Sequence, residues 1–154
     1  RKNFVGVSYL HPATNFEFFG AIDDLWLNED GEYLVVDYKA TAKKDEVNLD
    51  ADWQISYKRQ MEIYQWLLRK NGLPISNRGW FVYCNGKRDL DRFNNKVEFR
   101  VSLLSYDGND DWVETSLIEA KKTLNRSDLP PADENCDFCT YREETAIFEH
   151  GSGG

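Results

Sequence analysis

The 154-residue sequence has no long apolar run, no excess of basic charge and little sulfur. No stretch approaches the roughly 20 apolar residues of a membrane-spanning helix, and no charged-then-apolar leader opens the chain. The expectation is a cytoplasmic protein with no membrane partner. Lysine and arginine number 19 against 27 aspartates and glutamates, a formal net charge of −8. That balance argues against the basic face of a sequence-reading nucleic-acid binder. It leaves room for an enzyme on nucleic acid that keeps carboxylates for metal ions and confines its basic residues to one path. Three cysteines, an odd number, fit a reducing compartment better than a disulfide framework. There is no internal repeat and no low-complexity segment.

What is present is a globular core: 41% hydrophobic residues, 14% aromatic, with five tryptophans. The length suits one domain, taken as residues 1–150, with the Gly151-Ser152-Gly153-Gly154 end as a flexible tail. The first residue is Arg1 and not Met, and the opening lies just before a strand, so a fragment of a longer protein is expected. Strands are predicted over 4–9, 16–27 and 32–39, the last two joined by a turn at NEDGE. Residues 40–50 are polar and read as loop. From Asp52 to Asn71 the period changes to helical, with Tyr57, Met61, Tyr64 and Leu68 recurring on one side and Asn71-Gly72 as the stop. Strands at 79–84 and 96–106 flank a loop, an amphipathic helix covers 110–125, and a cysteine-containing coil follows Pro130-Pro131. The order β-β-β-α-β-β-α implies an α+β (α/β) fold with a mixed central sheet flanked by helices.

The stretch LVVDYKAT, residues 34–41, ends a buried strand in two opposite charges, Asp37 and Lys39. A three-residue loop, Glu29-Asp30-Gly31, with Gly in the left-handed position, pairs Asn28 with Glu32. Asp23 then lies opposite Asp37, and Asp23, Asp37 and Lys39 share one face. A two-residue Asp-Gly loop shifts the register by one and separates the carboxylates. Facing carboxylates repel unless positive charge lies between them. Lys39 supplies part of it, and a divalent cation supplies the rest. Hard oxygen ligands of this kind suit Mg²⁺, which binds through one or two carboxylates plus substrate phosphate. The set fits metal-assisted phosphodiester hydrolysis. The plain alternative is a solvated strand end, since Glu119-Ala120-Lys121 repeats the acid-x-Lys pattern on an ordinary amphipathic helix. Position distinguishes the first match: it ends a buried strand, with an acid across the turn.

The three motifs together resemble the PD-(D/E)XK nuclease superfamily, and specifically its RecB-type branch. The matching residues are Gly20-Ala21-Ile22-Asp23, then Asp37-Tyr38-Lys39, then Gln60-Met61-Glu62-Ile63-Tyr64, in that order. The resemblance implies a restriction-endonuclease-like core. It implies Asp23, Asp37 and the backbone carbonyl of Tyr38 as ligands of Mg²⁺ or Mn²⁺, and Lys39 as the catalytic lysine. Gln60 and Tyr64, one helical turn apart, would support the site and the substrate strand; Tyr64 as a core residue is the alternative. Lys58, Arg59, Arg69 and Lys70 flank that helix as phosphate contacts or as a solvated face.

Three departures from the family pattern stand out. Asp24 follows the first Asp where the family commonly has Arg. No helix with a His or Glu ligand precedes the first strand, and His11 sits in a turn-like stretch, so an N-terminal helix is expected to be missing. Cys136 and Cys139 resemble the C-x-x-C end of iron–sulfur relatives, but no cysteine follows them and Cys84 lies in a predicted strand. Two or three thiolates are too few for a [4Fe-4S] cluster or a closed zinc site. Vestigial packing cysteines, metal completed from elsewhere and a disulfide stay open. The function implied is a metal-dependent deoxyribonuclease, exonuclease-like on DNA ends or single strands, in repair, recombination or defence against mobile elements. A protein partner such as a helicase, or the rest of its own chain, is expected. The alternative is an inactive nuclease-fold module for protein or nucleic-acid binding.

Overall fold

A computed structural model of the chain describes residues 6–89 and 95–151. Its strands are β1 (Val7–His11), β2 (Phe16–Gly20), β3 (Asp24–Leu27), β4 (Tyr33–Thr41), β5 (Arg78–Gly86) and β6 (Phe99–Asp107). A single 3₁₀ turn at Asp52–Gln54 leads into α1 (Ile55–Lys70), and α2 (Asp111–Leu124) and α3 (Asp137–Gly151) follow β6. β1 and β2 form an antiparallel pair, while β3-β4-β5-β6 form a second sheet in sequence order. In that sheet β4 and β5 run parallel and the other neighbours antiparallel, so the sheet is mixed. A parallel pair needs a crossover, and α1 supplies it.

The hairpin between β3 and β4 closes as the odd loop requires. Gly31 takes φ +79°, and Asn28 and Glu32 meet through a backbone bond of 3.0 Å. Leu27 pairs with Tyr33 and Asp24 with Val36. Val35 and Val36 are both fully buried although they point to opposite faces. That is the pattern of a strand covered on both sides.

Met61 and Leu68 of α1 pack on Val35, Phe81 and Tyr83 of the sheet and on Ile75 ahead of β5. Trp66 and Leu67, on a neighbouring arc of the same helix, meet Val113 and Leu117 of α2, with Tyr9 and Phe18 of the β1–β2 pair beside them. The helix ends where Asn71-Gly72 was expected to stop it. Gly72 has φ +82°, its N–H donates to Arg69, and the Leu73 N–H reaches back to Leu68. These two bonds are the Schellman closure, which satisfies carbonyls the last turn leaves unpaired.

Three elements differ from the sequence reading. The single strand predicted over 16–27 breaks at 21–23, so β2 and β3 serve different sheets. At the break Gly20 is pressed onto α1: a Cβ there would lie 2.9 Å from the Tyr64 ring and 3.1 Å from Leu67. β4 continues to Thr41 because parallel pairing with β5 carries it past Lys39. The coil predicted after Pro130-Pro131 gives way to α3, whose Asp137 in the first turn favours a helix start. The predicted strand residues Phe4 and Val5, the middle of the loop after β5 and the end of the glycine-rich tail lie outside the described residues. The described residues divide into two compact units, with the break between Ile118 and Glu119.

Candidate active site

Period-two geometry on β4 sends Asp37 and Lys39 to the α1 side of the sheet, beside Phe81 and Tyr83. Asp37 is 5% exposed. Its Oδ2 lies 2.6 Å from Lys39 Nζ, a short ion pair between neighbours on the same face of β4. Lys39 Nζ donates to Gln60 Oε1 at 3.2 Å and sits 4.4 Å from the centre of the Tyr57 ring. Gln60 Nε2 donates in turn to the Tyr64 hydroxyl at 3.0 Å. The ammonium is therefore held by a carboxylate, an amide and an aromatic face. Three neighbours of this kind fix one rotamer of a side chain that is otherwise costly to order.

Asp23 is exposed, just ahead of β3, and its Oδ2 accepts the Tyr38 backbone N–H at 2.9 Å. In a strand the N–H and C=O of one residue point to the same edge. The Tyr38 carbonyl therefore faces the edge where Asp23 lies. Burial pushes the Asp37 carboxyl up from its ordinary range, the Lys39 ammonium draws it back, and the Asp23 charge pushes it up further. The hairpin register that pairs Asp24 with Val36, and the bond from Tyr38 N–H, set Asp23 beside the strand position next to Asp37. Asp24 has turned to the other face. It accepts the Tyr38 hydroxyl at 2.9 Å and the Leu25 N–H at 2.8 Å, and the hydroxyl holds its carboxyl below the usual range. Its contacts are those of a strand-end cap for Tyr38.

The donor set fits a hard divalent cation. A buried carboxylate, Asp37, and a second one, Asp23, held on the N–H of the next residue, are both hard oxygen donors. Among the described residues, no group of three or more His, Cys, Asp and Glu side chains gathers to hold a metal. Any cation here would be held by two side chains, with water or phosphate completing its shell.

The remaining sequence candidates separate. Arg69 is bound to Asp110, Asn77 and the Ile75 carbonyl, and Lys70 pairs with Glu114 at 3.0 Å. Both are consumed in tying α1 to its surroundings. Lys58 lies 5.7 Å from the centre of the Tyr106 ring, and Arg59 is exposed. His11 is 1% exposed, its Nδ1 bonded to Thr14 Oγ1 at 2.8 Å and its Nε2 to Glu114 Oε1 at 2.6 Å. It pins β1 to α2. Cys136 precedes α3 and Cys139 lies in its first turn, with Cys84 on β5; none is disulfide-bonded. The Cys139 backbone and thiol lower the Cys136 pKa by hydrogen bonding, and donating raises that of Cys139. Sequence reasoning missed Tyr57 as the ring beneath Lys39, although its helical spacing one turn before Met61 was legible.

A mixed sheet crossed by one helix carries an acid and a lysine two apart on a central strand, with a second acid across a hairpin. The chain belongs to the PD-(D/E)XK nuclease superfamily, whose family model matches residues 3–143. The α+β architecture and mixed sheet agree with the restriction-endonuclease-like core of that family. No curated protein matches the chain. A solved structure, titled "Crystal structure of SSO0001", is 22% identical over 83% of this chain, with a TM-score of 0.44. This chain covers 50% of the length of that protein. Among the described residues, no helix is long and apolar enough to cross a membrane.

Proposed function

We propose that this chain is a Mg²⁺- or Mn²⁺-dependent nuclease of RecB type that hydrolyses DNA phosphodiester bonds, working as an exonuclease on ends or single strands. The observation that carries the reading is the Asp37–Lys39 pair: a buried carboxylate set 2.6 Å from an ammonium that two α1 side chains hold in place. Asp23, Asp37 and the Tyr38 carbonyl are the ligands in this reading. A bound divalent cation supplies charge to polarise the phosphate and to acidify a water. Lys39 then orients the attacking water and offsets charge that develops on the phosphate. Asp37 holds that ammonium at its working position. Gln60 keeps Lys39 from swinging away, and Tyr64 fixes Gln60. An odd number of cysteines fits a reducing compartment such as the cytoplasm, and repair, recombination or defence against mobile elements is the setting. A helicase or a further part of the same chain is the partner we assign.

The test is degradation of linear DNA by the purified protein with Mn²⁺ or Mg²⁺. Loss of at least a hundredfold in Asp37→Ala and Lys39→Ala supports the assignment, and wild-type rates in both variants refute it. A second reading, an inactive nuclease-fold module, draws on the two-carboxylate site, which has no third acidic or imidazole ligand among the described residues. It predicts that Mn²⁺ leaves the melting temperature unchanged.

A further inference from the structure

Around Asn85, where β4 and β5 end, four basic side chains gather in a chain whose net charge is −8. Lys43, Lys44, Lys87 and Arg100 line a cavity of about 230 Å³ there, with Asp89 as the opposing acid. A second cavity of about 220 Å³ shares Asn85 and Arg100 and adds Glu46 and Ser102. Shared walls make the two one trough. Asn85 is buried and holds the rim in place: its Oδ1 accepts the Lys43 N–H at 2.8 Å and its Nδ2 donates to the Lys43 carbonyl at 3.1 Å. Lys87 also reaches Glu98 at 2.7 Å, an exposed pair that costs little to exchange for a stronger anion. Lys43, Lys44, Lys87 and Arg100 are all exposed.

Register ties the trough to the acidic site. Asp37, Phe81 and Leu104 align across three strands, as do Lys39, Tyr83 and Ser102, and Thr41, Asn85 and Arg100. Aligned residues share a face, so Arg100 stands on the same side of the sheet as Asp37 and Lys39. Two strand spacings across and two residues along separate Lys39 from Arg100, about 12 Å between backbones. Lysine is a flexible point charge, and the planar fork of arginine matches two phosphate oxygens.

We propose that this trough seats backbone phosphates of the DNA strand a few nucleotides from the scissile bond. The inference rests on the nuclease reading for the identity of the polymer, but its test does not need cleavage. Binding of a labelled single-stranded oligonucleotide is followed by fluorescence anisotropy in EDTA, for the wild type, for Lys44→Gln/Arg100→Gln, and for Lys122→Gln/Arg126→Gln as a charge-matched control. The trough variant should bind about tenfold more weakly than the control. The slope of log K against log salt should fall by about 1.4 in magnitude, 0.7 for each of two lost phosphates. Lys87→Gln provides an independent variant, and unchanged melting temperatures confirm that all fold. A 5′-phosphorylated strand and its hydroxyl-ended counterpart separate a terminal phosphate from internal ones: a preference that vanishes in the trough variant assigns the terminal group. Equal affinity and slope in trough and control variants overturn the inference even if the wild type cleaves DNA normally. So does a wild type that binds no strand. Trough-dependent binding without Mn²⁺-dependent cleavage leaves the inference standing and removes the nuclease reading instead.

Discussion

Replacing Lys39 with Met removes the ammonium but keeps most of the stem that lies over Tyr57. What is left is a buried carboxylate whose Oδ2 has no hydrogen-bond partner, next to the charge of Asp23. Breaking a buried pair from one side costs about 3–5 kcal/mol. Protonation limits that cost, because Asp37 can go neutral instead. Keeping a carboxyl of ordinary pKa near 3.9 neutral costs about 1.4 kcal/mol per pH unit above that value, hence about 4 kcal/mol at pH 7 and about 1.5 at pH 5. The sign follows from the direction of the shift. The folded pKa of Asp37 is already raised, so its contribution favours folding at low pH and is lost as pH rises through the folded value. Without Lys39 that window moves higher. The variant should therefore lose about 3 kcal/mol at pH 7 and no more than about 1.5 kcal/mol at pH 5, measured by urea unfolding in EDTA. Asp37→Asn/Lys39→Met should recover most of the loss, with a coupling energy of about 2 kcal/mol. A penalty below about 1 kcal/mol, or one that is the same at both pH values, would refute the argument that Lys39 compensates a desolvated acid.

Other consequences are local. Gly20→Ala places a Cβ 2.9 Å from the Tyr64 ring, whose hydroxyl is held by Gln60, so about 1–3 kcal/mol of stability should be lost by chemical unfolding. Activity should fall too, because the ring supports Lys39 through Gln60. In Glu62→Gln, one amide end must accept where the carboxylate now accepts three donors: the Tyr106 hydroxyl, the Trp112 indole and the Asn109 N–H. At least one donor faces an NH₂, and a loss of about 2–3 kcal/mol is expected; a loss below about 0.5 would contradict the bonding described. The Glu114 carboxyl is held below its usual range first by His11 and then by Lys70, so its share of stability is present above the unfolded carboxyl range and is lost as pH falls through the folded value. A Glu114→Gln variant should show a flatter stability profile below pH 5, read by thermal melts across pH.

Sequence alone reaches the hairpin because Gly31 and the alternation on either side of it are local signals, and they set the register that gathers Asp23, Asp37 and Lys39. The helix was legible for the same reason: its period and its Asn-Gly stop lie within one segment. The break between β2 and β3 was not, since the strand-like aromatic and aliphatic residues of FEFFGAIDDLWL continue on both sides of it, and the close approach of Gly20 to Tyr64 at the break is a tertiary contact. Arg69 and Lys70 read as candidate phosphate contacts because charge pattern does not show that Asp110 and Glu114, far along the chain, take them up. The basic trough was invisible for the converse reason. Lys43, Lys87 and Arg100 come from three segments that meet only when β4, β5 and β6 align.

The central claim is that the hairpin brings Asp23 and Asp37 to one point where a hard cation binds beside Lys39. Calorimetric titration of the metal-free protein with Mn²⁺ tests it most directly, with Asp23→Ala and Asp37→Asn as the paired variants. The account predicts one saturable site in the wild type that is lost in either variant while both keep their fold. No heat of binding in the wild type, or a site that survives both substitutions, would contradict it.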